Sequence, residues 1–436
     1  MMYYSTNGHA PRAALEKAVV KGLAEDRGLY MPERINPLPE SFFDRIQDMD
    51  FHEVACAAAD GFFGEDIDKD TLHAIVRDTL SFDCPAVKVD DGIYALELFH
   101  GPTLAFKDVG ARFMARLLGH FRSGETLNVL VATSGDTGSA VANGFLGVEG
   151  IRVFVLYPKG KVSPIQECQF TTLGQNITAL EIDGVFDDCQ ALVKSAFMDA
   201  DLNSAMKLTS ANSINVARFL PQSFYYFWGY AQMKRAGLAD NLVICTPSGN
   251  FGNICAGLFA KRMGLPVKRF IAANNANSVF YDYLRTGIYS PRPSVQTIAN
   301  AMDVGDPSNF SRILDLYGHD WEAVKADISG ATYSDAMIAA TIRDVYERTG
   351  YLCDPHGACG FRALAEGLLP GETGLFCETA HPAKFKDTVE AITGSPVVIP
   401  EKLKLFMDGR KECVSLPKDF ETFKEFLTEK SKNLNQ

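Results

Sequence analysis

Three short stretches carry residue types that could do chemistry. Two are glycine-rich turns between an apolar run and a helical pattern. Leu127 to Ala132 enters Thr133-Ser134-Gly135-Asp136-Thr137-Gly138-Ser139, and Leu242 to Cys245 enters Pro247-Ser248-Gly249-Asn250-Phe251-Gly252-Asn253. A helix that starts after such a turn presents unpaired backbone N–H groups and the positive end of its dipole, so each turn can hold a phosphate or carboxylate. Taken singly, either is equally an ordinary strand-to-helix connection, which also favours Ser, Asn and Gly. Neither fits G-x-G-x-x-G, and no G-x-x-x-x-G-K-[ST] occurs, which disfavours a Rossmann dinucleotide site and a P-loop. The third stretch is Gly101-Pro102-Thr103-Leu104-Ala105-Phe106-Lys107-Asp108, a turn that runs into a helical pattern through Val109, Phe113, Met114, Leu117 and Leu118. Lys107 falls in the first turns of that helix, where the dipole opposes a cation. Its pKa should be lowered and its free amine made available, which is what a Schiff-base lysine needs. On local sequence alone, a solvated lysine flanked by Asp108 is the commoner outcome.

Other chemistries lack their residues. The eight His are scattered, with no H-E-x-x-H and no His/Cys cluster at zinc spacing, so no metal site is expected. The G-x-S-x-G elbow of serine hydrolases is missing, because Ser248 precedes its glycine rather than sitting between two. The ten Cys form no C-x-x-C pair and several lie in apolar segments, as reduced buried thiols would.

The elements that must position these residues follow from texture. Up to about residue 90, helical patterns such as Ala13 to Gly22 mix with a Pro-rich loop, which predicts an N-terminal helical domain. From Ile93 onward, short apolar strands run into Gly/Ser/Thr turns and then helices, the pattern of α/β units on a mostly parallel sheet. Further strands are expected at Ile151 to Leu156, Ile177 to Ile182, Val267 to Ala272 and Gly374 to Cys377. Phe224 to Ala231, bounded by Gln222 and Gln232, is too short to span a membrane and reads as core helix. Phe420, Phe423, Phe426 and Leu427 have the spacing of an amphipathic helix docked on the body, with Lys430 to Gln436 fraying. The expected division is 1–90, 91–395 and a C-terminal helical segment, 396–436. With 436 residues, 42 Lys+Arg against 54 Asp+Glu and no basic run, the chain fits an enzyme of small molecules and disfavours nucleic-acid or anionic-membrane partners. Met1 to Arg12 lacks the apolar core of a signal peptide, so a cytoplasmic location is expected.

Taken in order, the Gly101 to Asp108, Thr133 to Ser139 and Pro247 to Asn253 stretches closely resemble threonine synthase, a family of pyridoxal-phosphate enzymes. The same resemblance runs through Tyr3 to Thr6, Gly28 to Pro32, Lys159 to Pro164, Ala301 to Asn309 and Glu378 to Phe385, and so spans nearly the whole chain. It implies a fold type II architecture similar to the tryptophan synthase β chain, two α/β lobes with pyridoxal 5′-phosphate in the cleft between them. In that resemblance Lys107 matches the catalytic lysine that carries the cofactor. Ser248, Gly249, Asn250, Phe251, Gly252 and Asn253 match its phosphate loop, and Thr379 matches the hydroxyl facing the pyridine nitrogen. The implied substrate is O-phospho-L-homoserine. Thr133, Ser134, Asp136 and Thr137 match residues facing substrate and cofactor ring, and Ser213 and Arg218 match the grip on the substrate phosphate. Arg suits phosphate by its bidentate fork; on local sequence Arg218 is otherwise a helix-surface ion pair. Many fold type II relatives have Asn where this chain has Asp136, and an anion beside anionic ligands is expensive unless it pairs or protonates. The implied reaction is γ-elimination of phosphate followed by addition of water at Cβ, giving L-threonine, with Lys107 shuttling protons. A related phospholyase that releases a 2-oxo acid, ammonia and phosphate would share every motif quoted. A non-catalytic relative would be expected to have lost Lys107, the Ser248 loop or Thr379. A monomer or a homodimer is compatible with the sequence.

Overall fold

The computed structural model describes residues 1–122, 124 and 126–432. The N-terminal part is helical and also holds a small antiparallel sheet that the sequence reading did not separate from the helices. Met2–Ser5 (β1), Ala13–Ala14 (β2) and Tyr30–Pro32 (β3) form it in the order β2-β1-β3. The helix read from Ala13 starts at Leu15 and ends at Lys21, capped by Gly22 at φ 72°, a conformation that glycine adopts without a Cβ penalty. Helix Phe51–Phe63 opens on a reciprocal cap: the Asp50 carboxylate accepts from Glu53 N, and that of Glu53 accepts from Asp50 N, both at 2.9 Å. Its apolar face packs on helix Ser223–Arg235, where Phe51 stacks on Trp228 at 5.3 Å. Phe224 to Ala231 is buried throughout, as expected of a core helix. Each large side chain taken from water there contributes about 1.5–3 kcal/mol.

Eleven further strands follow among the described residues: β4 (Ala86–Asp90), β5 (Ile93–Glu97), β6 (Leu127–Ala132), β7 (Ile151–Pro158), β8 (Ile177–Asp183), β9 (Lys207–Ser210), β10 (Leu242–Pro247), β11 (Arg269–Asn274), β12 (Ile328–Thr332), β13 (Thr373–Glu378) and β14 (Val414–Pro417). They build two sheets, ordered β14-β8-β7-β6-β9 and β12-β11-β10-β13-β5-β4. Every pairing is parallel except β4 with β5, so the second sheet begins at Ala86, a few residues before the boundary expected at 90. β6 and β10 are buried at every position because helices cover both faces, which is why they read as unbroken apolar runs rather than alternating ones. β11 starts at Arg269, two residues after the start of its apolar run, and Lys268 N, just before it, donates to Leu242 O of β10. β14 adds a strand from the C-terminal segment, which was expected to be helical only. Helix Phe420–Lys432 docks through Phe423 and Leu427, both fully buried. The fraying expected from Lys430 does not begin before Lys432, and residues 433–436 lie outside the described residues. The ten Cys are free thiols, buried except for Cys168 and Cys413, which are half-buried. Among the described residues no helix is long and apolar enough to cross a membrane.

Candidate active site

Residues beyond the C-terminal ends of adjacent parallel strands meet in a crevice, and here that rule assembles most of the sequence-predicted positions. In the six-stranded sheet β10, β13 and β5 are neighbours. Beyond β5 and β13 the two chains stay paired: Leu98 N donates to Glu378 O at 3.0 Å and Phe106 N to Thr379 O at 2.9 Å. Lys107, the first residue of helix Lys107–Phe121, therefore lies beside Thr379, and the Ser248 turn leaves β10 on the next strand.

Lys107 is half-buried and has no hydrogen bond or ion pair among the described residues; its Nζ lies 4.6 Å from the Phe106 ring centre. Burial lowers its pKa, Asp136 opposes that, and the cations Lys384 and Arg218 add to it. The direction is the expected one, but desolvation leads where the helix dipole was anticipated. Asp108 is no solvated neighbour. It is buried and accepts from Thr103 N at 2.8 Å and Thr103 Oγ1 at 2.6 Å, and a Cβ at Gly101 would meet it at 2.4 Å.

The Ser248 turn is stitched from within. Ser248 is fully buried, its N donating to Ala273 O and its hydroxyl to Thr246 O, while Asn253 Nδ2 donates to Pro247 O at 2.8 Å. Phe251 takes φ 63° to start helix Gly252–Arg262. The N–H groups of Gly249, Asn250, Phe251, Gly252 and Asn253 find no acceptor among the described residues. A Cβ at Gly249 would lie 2.7 Å from Ala301 O, so the turn passes close under the Asn300–Met302 segment.

In the five-stranded sheet β6 and β9 are neighbours, and their C-terminal ends lead to the other two pieces. Thr133 Oγ1 accepts from Gly135 N and Gly138 N and pins its own turn; Ser134 is exposed and Thr137 half-buried. Asp136 is buried and ion-paired: its Oδ1 receives Gln166 Nε2 at 2.8 Å and Lys384 Nζ at 2.6 Å. Burial alone would raise this carboxyl, but Lys384 and Lys107 more than offset that and hold it below the usual carboxylate range. After β9, Ser213 Oγ accepts from Asn250 Nδ2 at 2.7 Å, which ties this turn to the Ser248 turn. Arg218 is 2% exposed, and its Nε and Nη1 have no partner among the described residues. Burial lowers it to about 10 against the pull of Asp108. Among the described residues, the surface ion pair that local sequence allowed for Arg218 does not form.

Three features had no local warning in the sequence. Lys384 is fully buried and reaches Thr103 O at 2.8 Å as well as Asp136. Arg312, also fully buried, donates to the carbonyls of Tyr30, Ser213 and Ile214 and to Asn309 Oδ1, and so joins β3 of the N-terminal sheet to the Ser213 turn. Behind Thr379, Glu378 Oε1 accepts from Asp354 N at 2.7 Å, Asp354 holds the His356 ring, and His356 Nε2 accepts from Ala301 N at 3.1 Å. Burial, with Asp354 beside it, raises the Glu378 carboxyl. This buried chain runs from the Thr379 strand end to the segment that roofs Gly249.

The residues present fit a phosphorylated aldehyde cofactor. A lysine amine lacks a counter-ion, a run of backbone N–H groups is free at a helix N-terminus, and a second anion is invited by the unpartnered Arg218 nitrogens. Comparison with known proteins agrees. Residues 75–376 match the family model described as pyridoxal-phosphate dependent enzyme, 2–80 the threonine synthase N terminus and 357–427 the threonine synthase C-terminal model. Threonine synthase of Serratia marcescens is 43% identical over 427 residues, covering 98% of this chain and 99% of that protein. The crystal structure of threonine synthase from Escherichia coli superposes with a TM-score of 0.93 at 42% identity, covering 99% of this chain and all of that one. Pyridoxal-phosphate-bound threonine synthase from Brucella melitensis does so at 0.92 and 36%, over 99% of this chain and all of that one. The chain therefore belongs to the threonine synthase family of pyridoxal-phosphate enzymes.

Proposed function

We propose that Lys107, Thr379 and the Ser248–Asn253 turn hold pyridoxal 5′-phosphate, and that Ser213 and Arg218, with Thr133, Ser134, Asp136 and Thr137, face O-phospho-L-homoserine. The chain is a pyridoxal-phosphate-dependent carbon–oxygen lyase, and its reaction is that of threonine synthase: O-phospho-L-homoserine and water give L-threonine and phosphate. The observation that carries the residue assignment is the convergence of an unpaired lysine amine, an unpaired buried guanidinium and a turn of free N–H groups at one crevice.

When bound, the cofactor supplies an electron sink that acidifies the protons next to the carbon bearing the substrate amine. Lys107, its pKa lowered by burial, would hold the cofactor, and its amine would move the proton at Cα and then at Cβ. The free N–H groups from Gly249 to Asn253 hold the cofactor phosphate, and Thr379 offers a neutral hydroxyl to the ring. Arg218, whose Nε and Nη1 are unpartnered among the described residues, would grip the phosphate leaving Cγ together with Ser213. The buried walls keep water out until phosphate has left, after which water adds at Cβ.

We divide the chain at the loop before Ala86 and again near residue 395, into an N-terminal domain, two catalytic lobes and a C-terminal segment. We infer a cytoplasmic enzyme, monomer or homodimer, without nucleic-acid or membrane partners; the net charge of −12 supports this. Borohydride reduction of the cofactor-loaded protein followed by peptide mapping tests the assignment. The adduct is expected on Lys107 and absent from Lys107→Ala; an adduct on another lysine would overturn it.

A further inference from the structure

Lys384 is a lysine with 0% side-chain exposure, set between the two lobes. Burying an ammonium is expensive, and among the described residues its direct partners are Asp136, at the start of helix Asp136–Phe145 beyond β6, and Thr103 O, in the turn before Lys107, with the buried Asp108 acting at longer range. Asp136 in turn is the anion that acts most strongly on Lys107. The other charges facing Lys107 are the cations Lys384 and Arg218 and, more weakly, Asp354; its chain neighbour Asp108 is turned away to Thr103. A carboxylate left free at the position of Asp136 would draw Lys107 as its partner and favour its ammonium form. The structure instead shows Asp136 held by Lys384 and Gln166, and Lys107 with no ion pair.

We propose that Lys384 is a positioning residue for Lys107: it holds the Asp136 carboxylate in a buried pair, away from the Lys107 amine, so that this amine has no counter-ion and stays available to a carbonyl carbon. This rests on the reading that Lys107 is the cofactor's lysine. Lys384 acts through Asp136, its ion-pair partner. It also explains why an acid is tolerated at position 136, where a neutral amide would need no cation. A purely structural pair would cost stability when broken but would leave the chemistry of Lys107 unchanged.

The test is trace acetylation of the full-length protein stripped of cofactor, with the Lys107 peptide quantified by mass spectrometry across pH. The rate reports the free-amine fraction of Lys107 and does not depend on turnover. Lys384→Met frees the Asp136 carboxylate and is expected to slow Lys107 labelling about tenfold at neutral pH. Asp136→Asn leaves Lys384 unpaired beside Lys107 and is expected to speed it about tenfold or to the plateau. The double variant removes both charges and should return to within about threefold of the parent. If Lys384→Met fails to fold, Asp136→Asn and the neutral double variant carry the test. Unchanged labelling in Asp136→Asn, or a double variant as fast as Asp136→Asn, would overturn the proposal. The borohydride adduct is read separately, so an adduct on another lysine would remove the cofactor assignment without altering the labelling order.

Discussion

Asn250 Nδ2 donates to Ser213 Oγ at 2.7 Å, and this bond joins the turn beyond β10 to the turn beyond β9, one from each lobe. Asn309 reinforces it, donating to Asn250 O at 3.0 Å and to Ser213 Oγ at 3.3 Å. The groups assigned to cofactor phosphate and to substrate phosphate are thus held as one unit, and anything that shifts one turn is felt by the other.

Arg218 is stored at a cost, since two of its nitrogens are buried without partners among the described residues. Arg218→Met should therefore raise stability by about 1–3 kcal/mol while lowering kcat/KM for the phosphorylated substrate by about 100-fold or more. Urea unfolding and steady-state kinetics on the same preparation check both. Full activity in the variant would remove Arg218 from the phosphate grip.

Arg312 is the opposite case, because its nitrogens reach acceptors from three segments. Arg312→Met strands the carbonyls of Tyr30 and Ile214 and should cost about 2–5 kcal/mol of stability. KM should rise as well, because Ser213 loses its support. A lower melting temperature with unchanged KM would confine Arg312 to the fold.

Gly249 is placed by contact, not by backbone angle. A Cβ there would lie 2.7 Å from Ala301 O and 2.8 Å from Met302 Cα, both backbone atoms that cannot rotate away. Gly249→Ala should push the turn off its position and weaken cofactor binding about tenfold or more, read by absorbance titration of the stripped protein. An unaltered dissociation constant would show that the turn can give.

His381 Nδ1 accepts from Ala383 N at 3.1 Å, and burial lowers the ring from 6.5 to about 4, with His100 adding and Glu97 opposing. The folded state keeps the imidazole neutral while the unfolded chain protonates it. Its support for folding is therefore full above pH 6.5 and is lost as pH falls from 6.5 towards 4. Glu372, pulled down from 4.5 to about 2 chiefly by Arg269, loses its contribution from 4.5 downward instead. His381→Asn should lose less stability than the parent between about pH 7 and about pH 5, measured by urea midpoints. An identical loss in both would mean that the His381 ring titrates alike in the folded and unfolded protein.

How much of this was legible in the sequence follows the range of the interactions. β6 and β10 could be read because helices on both faces demand unbroken apolar runs, and the turns after them because strand-to-helix connections demand small residues. β1, β2 and β3 could not, since two to four residues are too few to show a period of two, and Ala13–Ala14 continues into a helix. Lys107 and Arg218 looked like solvated cations until the fold buried them. Lys384 and Asp136 stand far apart in the chain, and only the meeting of the two sheets makes them partners. Arg312 lies in the short helix Phe310–Leu316, where an arginine ordinarily faces water; its carbonyl acceptors come from β3 and the Ser213 turn.

The most direct test is the product balance of the purified, cofactor-loaded protein with O-phospho-L-homoserine, measuring threonine, phosphate and 2-oxobutyrate together. Threonine equimolar with phosphate is the result expected of this site. Phosphate released with 2-oxobutyrate and little threonine would contradict it and make the chain a phospholyase.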